Sequence, residues 1–201
     1  MILDLLIFIA LIYILYCYST KYITNIITKK NINICKKIYS NLNYNSKFKI
    51  LNNLFNLKMC KSIINEGESI AKINGWETKR HSDYPTTDLE ITKTWENYNS
   101  INNKINNLKQ HFSDLFEIDI SKIITNEIFI VKYEYNKQNK LIKHKDGNEF
   151  SFIIALNDDY NGGGTYFTKT KKHIDLNIGD ALIFSGQNEH KGIKIVSGIR
   201  Y

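Results

Sequence analysis

Apolar and polar positions divide the chain into an apolar start, a polar stretch and a longer patterned region. Residues 2–18 read ILDLLIFIALIYILYCY, in which Asp4 is the single charged residue. A helix of this length rises about 25 Å, which is near the lower limit for spanning a bilayer. We therefore predict a single apolar helix over residues 1–20 that anchors the chain in a membrane. The side of the membrane on which the remainder lies stays open.

Two alternatives compete with a membrane anchor. A cleaved signal peptide would have a basic stretch before the apolar run and a small-residue cleavage site after it, and the sequence has neither. A buried core helix is the other alternative, but residues 2–18 are apolar on every face and lie apart from the patterned region. The anchor is the interpretation that we carry forward.

Basic residues concentrate directly after the apolar run. Residues 1–61 contain nine lysines and one acid, whereas residues 62–201 contain 18 basic and 19 acidic residues. A basic segment beside an apolar one suits an anionic membrane surface, and a solubilising linker is the alternative. We predict a basic linker over residues 21–46 and a single domain over residues 47–201. The near-neutral charge of that domain argues against a nucleic-acid partner.

The patterned region predicts two helices followed by short strands. Apolar residues recur at helical spacing over residues 57–73 and 100–116. Strands are predicted around the loop of Pro85 (residues 76–91) and then at residues 128–135, 150–157, 164–168, 173–178, 181–185, 193–196 and 199–201. Helices followed by many short strands indicate a β-sandwich or barrel with helices packed on it.

Two histidines and one carboxylate are candidates for a metal centre. His144 and Asp146 are two residues apart, so in extended chain their side chains face the same side. His190 follows the strand predicted over residues 181–185. Two histidines and one carboxylate are the donor set of non-haem Fe(II) oxygenases. The His-x-Asp spacing alone is weak, because it also occurs by chance on protein surfaces.

Composition adds a suggestion about the source and one unusual residue. The chain is rich in Ile, Asn and Lys, which mirrors AT-rich codons and suggests a large DNA virus or an AT-rich protist. Only two of its 27 basic residues are arginines, and one of them is Arg200. The planar guanidinium suits bidentate binding of a carboxylate. The three cysteines form no metal-binding or disulfide pattern.

The segments around these candidate residues resemble a known enzyme family. They are HKDGNEFSFIIALN, NGGGTYF, LNIGDALIF and HKGIKIVSGIRY, in this order. Together they resemble the catalytic core of the 2-oxoglutarate/Fe(II)-dependent dioxygenases, in the prolyl 4-hydroxylase and lysyl hydroxylase branch. The upstream segments WETKRHSDYPTTD and LNNLFNLKMCKSII extend the resemblance to about residues 48–201.

The resemblance implies a fold, a set of site residues and cofactors. The implied fold is α+β and mainly β, a double-stranded β-helix (jelly roll) with supporting N-terminal helices, here preceded by the single apolar helix. The implied Fe(II) ligands are His144, Asp146 and His190. Arg200 matches the basic residue that binds the distal carboxylate of the co-substrate 2-oxoglutarate. Tyr133 is a candidate for a hydrogen bond to the co-substrate, with an ordinary strand aromatic as the alternative, and Thr165 is a candidate for lining the same pocket. Ascorbate is expected as the reductant that restores oxidised iron.

The implied activity is hydroxylation of a polypeptide side chain, with release of succinate and CO2. A prolyl side chain is the first expectation and a lysyl side chain the second. In the family the strand that carries Arg200 continues for several residues, so a last strand cut short at Tyr201 is expected here. An iron-binding or peptide-binding module without turnover therefore stays an alternative. A zinc hydrolase with the same three ligands is a further alternative. The sequence shows no evident general base for it, and this alternative gives Arg200 no role. The oligomeric state stays open.

Overall fold

Two long helices and twelve short strands make up the part of the chain that the structure, a computed structural model, describes: residues 44–80 and 83–201. In chain order they are β1 (Phe48–Leu51), α1 (Leu57–Asn74), β2 (Asp88–Glu90), α2 (Tyr98–Phe116), β3 (Phe129–Val131), β4 (Tyr133–Glu134), β5 (Leu141–His144), β6 (Phe150–Ile154), β7 (Tyr160–Gly162), β8 (Thr165–Phe167), β9 (Lys172–Ile174), β10 (Ala181–Ser185), β11 (His190–Gly192) and β12 (Ile195–Arg200). One 3₁₀ turn, Ile120–Lys122, follows α2.

Both helices lie where the periodicity predicts them. The side chain of Asn56 caps α1 by accepting a hydrogen bond from the backbone of Met59, and α1 ends at Gly75 with φ of 79°. Such a left-handed end favours glycine. Helix α2 buries five apolar residues along one face: Ile101, Ile105, Leu108, Phe112 and Phe116. The amphipathic stripe thus sets which face of α2 packs on the sheet.

All strand pairs among the described residues are antiparallel, and they form four sheets. The strand orders are β1-β10-β6, β5-β11-β8-β9, β4-β12-β7 and β2-β3. Many neighbours in these sheets are distant in sequence, as in β10 between β1 and β6. This long-range pairing brings the ends of β5, β8, β11 and β12 together around the site described below.

Strand β10 separates two hydrophobic cores. Ile183 packs in the core that the helices form with β3 and β6. Leu182 and Phe184 pack instead with Phe167 of β8. Because alternate residues of a strand face opposite sides, β10 has the helices on one side and the four-stranded sheet on the other. The described residues therefore form a helical layer on a two-layered β structure.

Several strands differ from the sequence prediction. Strands β1, β5, β7 and β11 were not predicted. The described residues between 76 and 87 contribute one isolated bridge, between Glu77 and Asp88. The two last predicted strands form one strand, β12, which continues through Gly198 at a φ of 81°. Strand β12 ends at Arg200, so the expectation of a last strand cut short at Tyr201 stays a prediction. Strand β12 has six residues, and it pairs with β4 and β7.

No helix within residues 44–80 and 83–201 is long and apolar enough to cross a membrane. The predicted anchor over residues 1–20 lies outside the described residues, as does nearly all of the predicted linker. Both therefore stay predictions.

Candidate metal centre and active site

The three predicted metal ligands lie together at one end of the four-stranded sheet. His144 is the last residue of β5, and His190 is the first residue of β11. The two strands are antiparallel neighbours, and the two histidines are directly opposite each other. Asp146 lies two residues past His144, on the loop that leaves β5. Strand register therefore brings together residues that are 46 positions apart.

The donor atoms of these side chains converge on one point. The Oδ1 atom of Asp146 lies 3.2 Å from Nε2 of His144 and 3.8 Å from Nε2 of His190. One ligand atom from each of the three residues lies within 4.8 Å of the other two. Two imidazoles and a carboxylate at this separation fit a first-row divalent metal such as Fe(II).

Backbone carbonyls orient both imidazole rings. Nδ1 of His144 lies 2.8 Å from the carbonyl oxygen of Ile142, and Nδ1 of His190 lies 2.9 Å from that of Asn188. A carbonyl oxygen only accepts, so Nδ1–H of each ring donates to it and Nε2 is the nitrogen that faces the centre. Each ring is thus oriented so that its Nε2 can bind a metal once that nitrogen carries no proton.

The charges at the centre also suit a cation. Burial opposes ionisation of Asp146, but hydrogen bonds from His144 and Ser151 and the charge of His190 lower its pKa overall. Burial lowers the pKa of His190. Burial also disfavours a charged His144, but its interactions with Asp146 and the Ile142 carbonyl raise its pKa. A carboxylate and a neutral His190 therefore face one another at neutral pH.

A serine and a glycine that the motifs did not single out hold Asp146 in place. The hydroxyl of Ser151, on β6, donates to Oδ2 of Asp146. The backbone N–H of Asp146 donates to the carbonyl of Gly186 at 2.9 Å. A Cβ at Gly186 would collide with the carbonyl oxygen of Asn148, so the close approach of the two loops requires glycine. No local sequence pattern reveals such contacts, because their partners come from other strands.

The three predicted co-substrate residues line the same cavity as the metal centre. Arg200 ends β12 opposite Tyr133 of β4, with its guanidinium carbon 5.6 Å from the centre of the Tyr133 ring. Thr165 begins β8 and is 4% exposed. All three line a cavity of about 580 Å³ together with the two histidines and Asp146. The structure thus brings all six predicted site residues to one place.

Arg200 is buried without a counter-charge. It is 9% exposed, and no carboxylate of residues 44–80 and 83–201 forms an ion pair with it. Arg80, the other arginine, is paired with Asp88 at 2.6 Å and Glu90 at 3.4 Å. A buried charge is unfavourable unless it is paired. Arg200 therefore fits a site for an anionic ligand inside the cavity.

Two tyrosines complete the polar wall of the cavity. Burial raises the pKa of Tyr133 to about 12, partly offset by the charge of Arg200, so its phenol stays protonated and can donate a hydrogen bond. The ring of Tyr84 stacks on His144, with ring centres 4.4 Å apart. Tyr84 was not predicted as a site residue, because its loop between residues 80 and 88 shows no pattern that points to the metal centre.

Known proteins with similar sequences are procollagen lysyl hydroxylases. The chain is 28% identical over 169 residues to the procollagen lysyl hydroxylase and glycosyltransferase of Acanthamoeba polyphaga mimivirus, an alignment that covers 74% of this chain and 18% of the relative. It is 34% identical over 83 residues to the multifunctional procollagen lysine hydroxylase and glycosyltransferase of Caenorhabditis elegans, covering 38% of this chain and 11% of the relative. The chain thus spans between about a tenth and a fifth of these relatives. No family model matches the sequence.

Solved structures with the same fold are prolyl hydroxylases and related oxygenases. The viral collagen prolyl hydroxylase of Paramecium bursaria Chlorella virus-1, solved with 2-oxoglutarate, superposes with a TM-score of 0.56 at 14% identity, covering 78% of this chain and 93% of that one. A Trichoplax adhaerens prolyl hydroxylase, solved with a peptide of hypoxia inducible factor, gives 0.60 at 16% identity, covering 87% and 88%. The predicted jelly-roll fold and the resemblance to the prolyl and lysyl hydroxylase branch are confirmed.

Proposed function

We propose that residues 47–201 form an Fe(II)- and 2-oxoglutarate-dependent dioxygenase domain that hydroxylates a side chain of a polypeptide. The observation that carries this proposal is a single cavity that holds both a His-Asp-His cluster and a buried, unpaired arginine. A metal site alone would suit many reactions. A fixed cation beside it adds a place for a dicarboxylate such as 2-oxoglutarate.

In this proposal His144, Asp146 and His190 hold the iron. Three protein ligands would leave positions on the metal for co-substrate and dioxygen. Bound iron supplies the oxidation chemistry, in which decarboxylation of 2-oxoglutarate to succinate and CO2 is coupled to hydroxylation of a C–H bond. Ascorbate is proposed as the reductant that restores oxidised iron.

Arg200 is proposed to bind the distal carboxylate of 2-oxoglutarate through its guanidinium. Tyr133, protonated because of its raised pKa, is proposed to donate a hydrogen bond to the same anion. Thr165, buried on β8, offers a further hydroxyl in the cavity. Charge-assisted bonds to a buried arginine are strong, and they orient the dicarboxylate as well as hold it.

The substrate is proposed to be a polypeptide with a prolyl or a lysyl target. The sequence relatives are named as lysyl hydroxylases, whereas the structural neighbours include prolyl hydroxylases, one of them with a bound peptide. A module without turnover stays the alternative, although β12 pairs with both β4 and β7. Peptides with each target separate the two substrate hypotheses.

Succinate formation by the full-length chain tests the proposal. The protein is supplied with Fe(II), 2-oxoglutarate and ascorbate, and with proline-rich or lysine-containing peptides, and the peptides are analysed for a gain of one oxygen atom. We expect peptide-stimulated succinate from the parent protein and none from His144→Ala, which also loses iron. His111→Ala, on helix α2, is the matched control and should keep activity. Iron-loaded, folded protein that forms no succinate with any peptide would refute the proposal.

Residues 2–18 are proposed to anchor this domain in a membrane. The support is the length and uniform apolarity of that run and the basic segment behind it. In cells that express the chain, the protein should stay in the membrane fraction after alkaline extraction. A variant without residues 1–20 should be released. Release of the complete chain by alkali would contradict the proposal.

A further inference from the structure

A buried amide without a protein partner lies next to one of the proposed metal ligands. Asn188 is 1% exposed, and neither its Oδ1 nor its Nδ2 has a hydrogen-bond partner among the described residues. The backbone carbonyl of the same residue accepts the hydrogen bond that orients His190. Asn188 therefore holds His190 through its backbone, while its own side chain has no bond within the protein.

Such an amide is unfavourable unless something else binds it. Asparagine offers two donors and two acceptor positions, and nearly all buried polar side chains are paired with protein or with ordered water. A leucine of similar size would fill the space without this penalty. The presence of asparagine thus indicates a polar occupant beside the loop that presents His190.

A second buried polar atom without a partner lies on the segment that contacts this loop. The hydroxyl of Thr170, in the turn between β8 and β9, is buried and has no partner among the described residues. The same turn is bonded to the β10–β11 loop, because Thr168 donates its backbone N–H to the carbonyl of Glu189 at 3.0 Å and its hydroxyl to the carboxylate of Glu189 at 2.6 Å. Among residues 44–80 and 83–201, every buried polar side-chain atom without a hydrogen-bond partner belongs to Asn188 or Thr170.

We propose that the Asn188 amide and the Thr170 hydroxyl bind ordered water between the β8–β9 turn and the β10–β11 loop, and that this hydration site positions His190. Water both donates and accepts, so it can satisfy the amide N–H, the amide oxygen and the hydroxyl together. Asn188 is then a positioning residue, which acts on the metal through His190. The positioning step rests on the proposed function, whereas the hydration site does not.

The sign of a stability change tests the hydration site. Asn188→Leu and Thr170→Val remove the polar atoms with little change in volume. If both bind the same water, each variant lowers the urea midpoint, and the double variant loses less than the sum, because the first change already disrupts the site. If the atoms are simply unpaired, Asn188→Leu raises the midpoint. A raised midpoint, or strict additivity, overturns the proposal. If Asn188→Leu fails to fold, the direction in which Thr170→Val changes the urea midpoint decides the question.

Metal binding tests the positioning step. Co²⁺ binding to the full-length chain is followed by titration and by its visible absorption spectrum. We expect Asn188→Leu to raise the Kd for Co²⁺ about tenfold or more and to alter the spectrum, as loss of a partner behind a metal ligand does. Leu108→Ala, a core change on α2, controls for lost stability and should leave both unchanged.

The outcomes separate the two proposals. A parent protein that binds no Co²⁺ contradicts the proposed metal centre, while the urea midpoints still decide the hydration site. If His144→Ala abolishes Co²⁺ binding while Asn188→Leu changes neither its affinity nor its spectrum, the positioning role alone is overturned.

Discussion

The two arginines of the chain have opposite electrostatic surroundings, and this difference can be measured. Arg80 neutralises Asp88, which is fully buried, whereas Arg200 is buried beside Tyr133 without a carboxylate among the described residues. Removal of one member of a buried ion pair leaves the other charge unpaired and is strongly destabilising. Removal of an unpaired buried charge lacks that penalty.

We therefore expect Arg200→Met to change the free energy of unfolding by no more than about 1 kcal/mol, the size of a lost cation–π contact. The same variant should weaken 2-oxoglutarate binding on the order of 100-fold, because charge-assisted hydrogen bonds are lost. Arg80→Met, the control, should lose about 3 kcal/mol of stability. Urea unfolding and calorimetric titration measure both quantities. Unchanged 2-oxoglutarate affinity in Arg200→Met would contradict the assigned role.

Two glycines near the metal centre make a second matched pair. A Cβ at Gly186 would collide with the carbonyl of Asn148 and lie 3.3 Å from Cβ of Asp146, whereas a Cβ at Gly147 has open space. We expect Gly186→Ala to cost about 1–3 kcal/mol, as overpacking does, and to weaken metal binding by displacing Asp146. Gly147→Ala should change neither property measurably. Equal metal affinities for the two variants would show that Asp146 tolerates the shift.

At the residue scale, some of the site residues could be predicted from the sequence. The spacing of His144 and Asp146 already indicated a shared target, and the rarity of arginine singled out Arg200. The contacts of Ser151 and Tyr84 could not be predicted, because each depends on a partner that the fold brings from another strand or loop. Local pattern thus identifies the side chains with distinctive chemistry, and tertiary pairing supplies the residues that hold them.

At the scale of elements, helices were easier to predict than strands. The apolar stripe of α2 is visible in sequence because it repeats over five turns. Strands β5, β7 and β11 have only three or four residues and are largely polar or glycine-containing, so no alternation marks them. Their strand structure comes from long-range pairing, which is also what brings His144 opposite His190.

Helix α1 is attached to the sheet by a charged and aromatic cluster that depends on pH. Glu68 of α1 accepts hydrogen bonds from Lys132 at 2.6 Å and from the hydroxyl of Tyr201. Lys132 also lies 5.3 Å from the centre of the Trp76 ring. Burial raises the pKa of Glu68, but these hydrogen bonds outweigh it and lower the pKa overall.

A carboxyl group with a lowered native pKa stabilises the fold above its unfolded pKa of about 4.3, and that contribution is lost as pH falls through the native value. We therefore expect the parent protein to lose more stability than Glu68→Gln between about pH 6 and about pH 3.5, because the variant has no proton to bind at this position. Urea unfolding at the two pH values measures the difference. Parallel losses in the two proteins would show that the cluster adds no pH-dependent stability.

For the whole molecule, the proposed ligands should stabilise the fold in a fixed order. The proposed metal ligands come from β5, the loop behind it and β11, while Arg200 comes from β12. A ligand in the cavity would therefore link strands of two sheets. Any ligand that binds only the folded state adds about 2.7 kcal/mol of stability at 100 times its Kd. For a domain of this size that corresponds to a rise in Tm of about 5–10 °C.

Mn²⁺, a divalent ion that imidazole and carboxylate ligands also bind, should therefore raise the Tm of the full-length chain, and 2-oxoglutarate should raise it further only when Mn²⁺ is present. This order follows from the proposed function, in which the metal would hold the 2-oxo acid group and Arg200 would hold only the distal carboxylate. In His144→Ala both rises in Tm should be absent. In Arg200→Met the rise caused by Mn²⁺ should remain and the rise caused by 2-oxoglutarate should be absent. Differential scanning calorimetry of the three proteins measures these shifts. A 2-oxoglutarate increment of equal size without metal, or one that survives in Arg200→Met, would place the dicarboxylate elsewhere and separate the anion site from the metal centre.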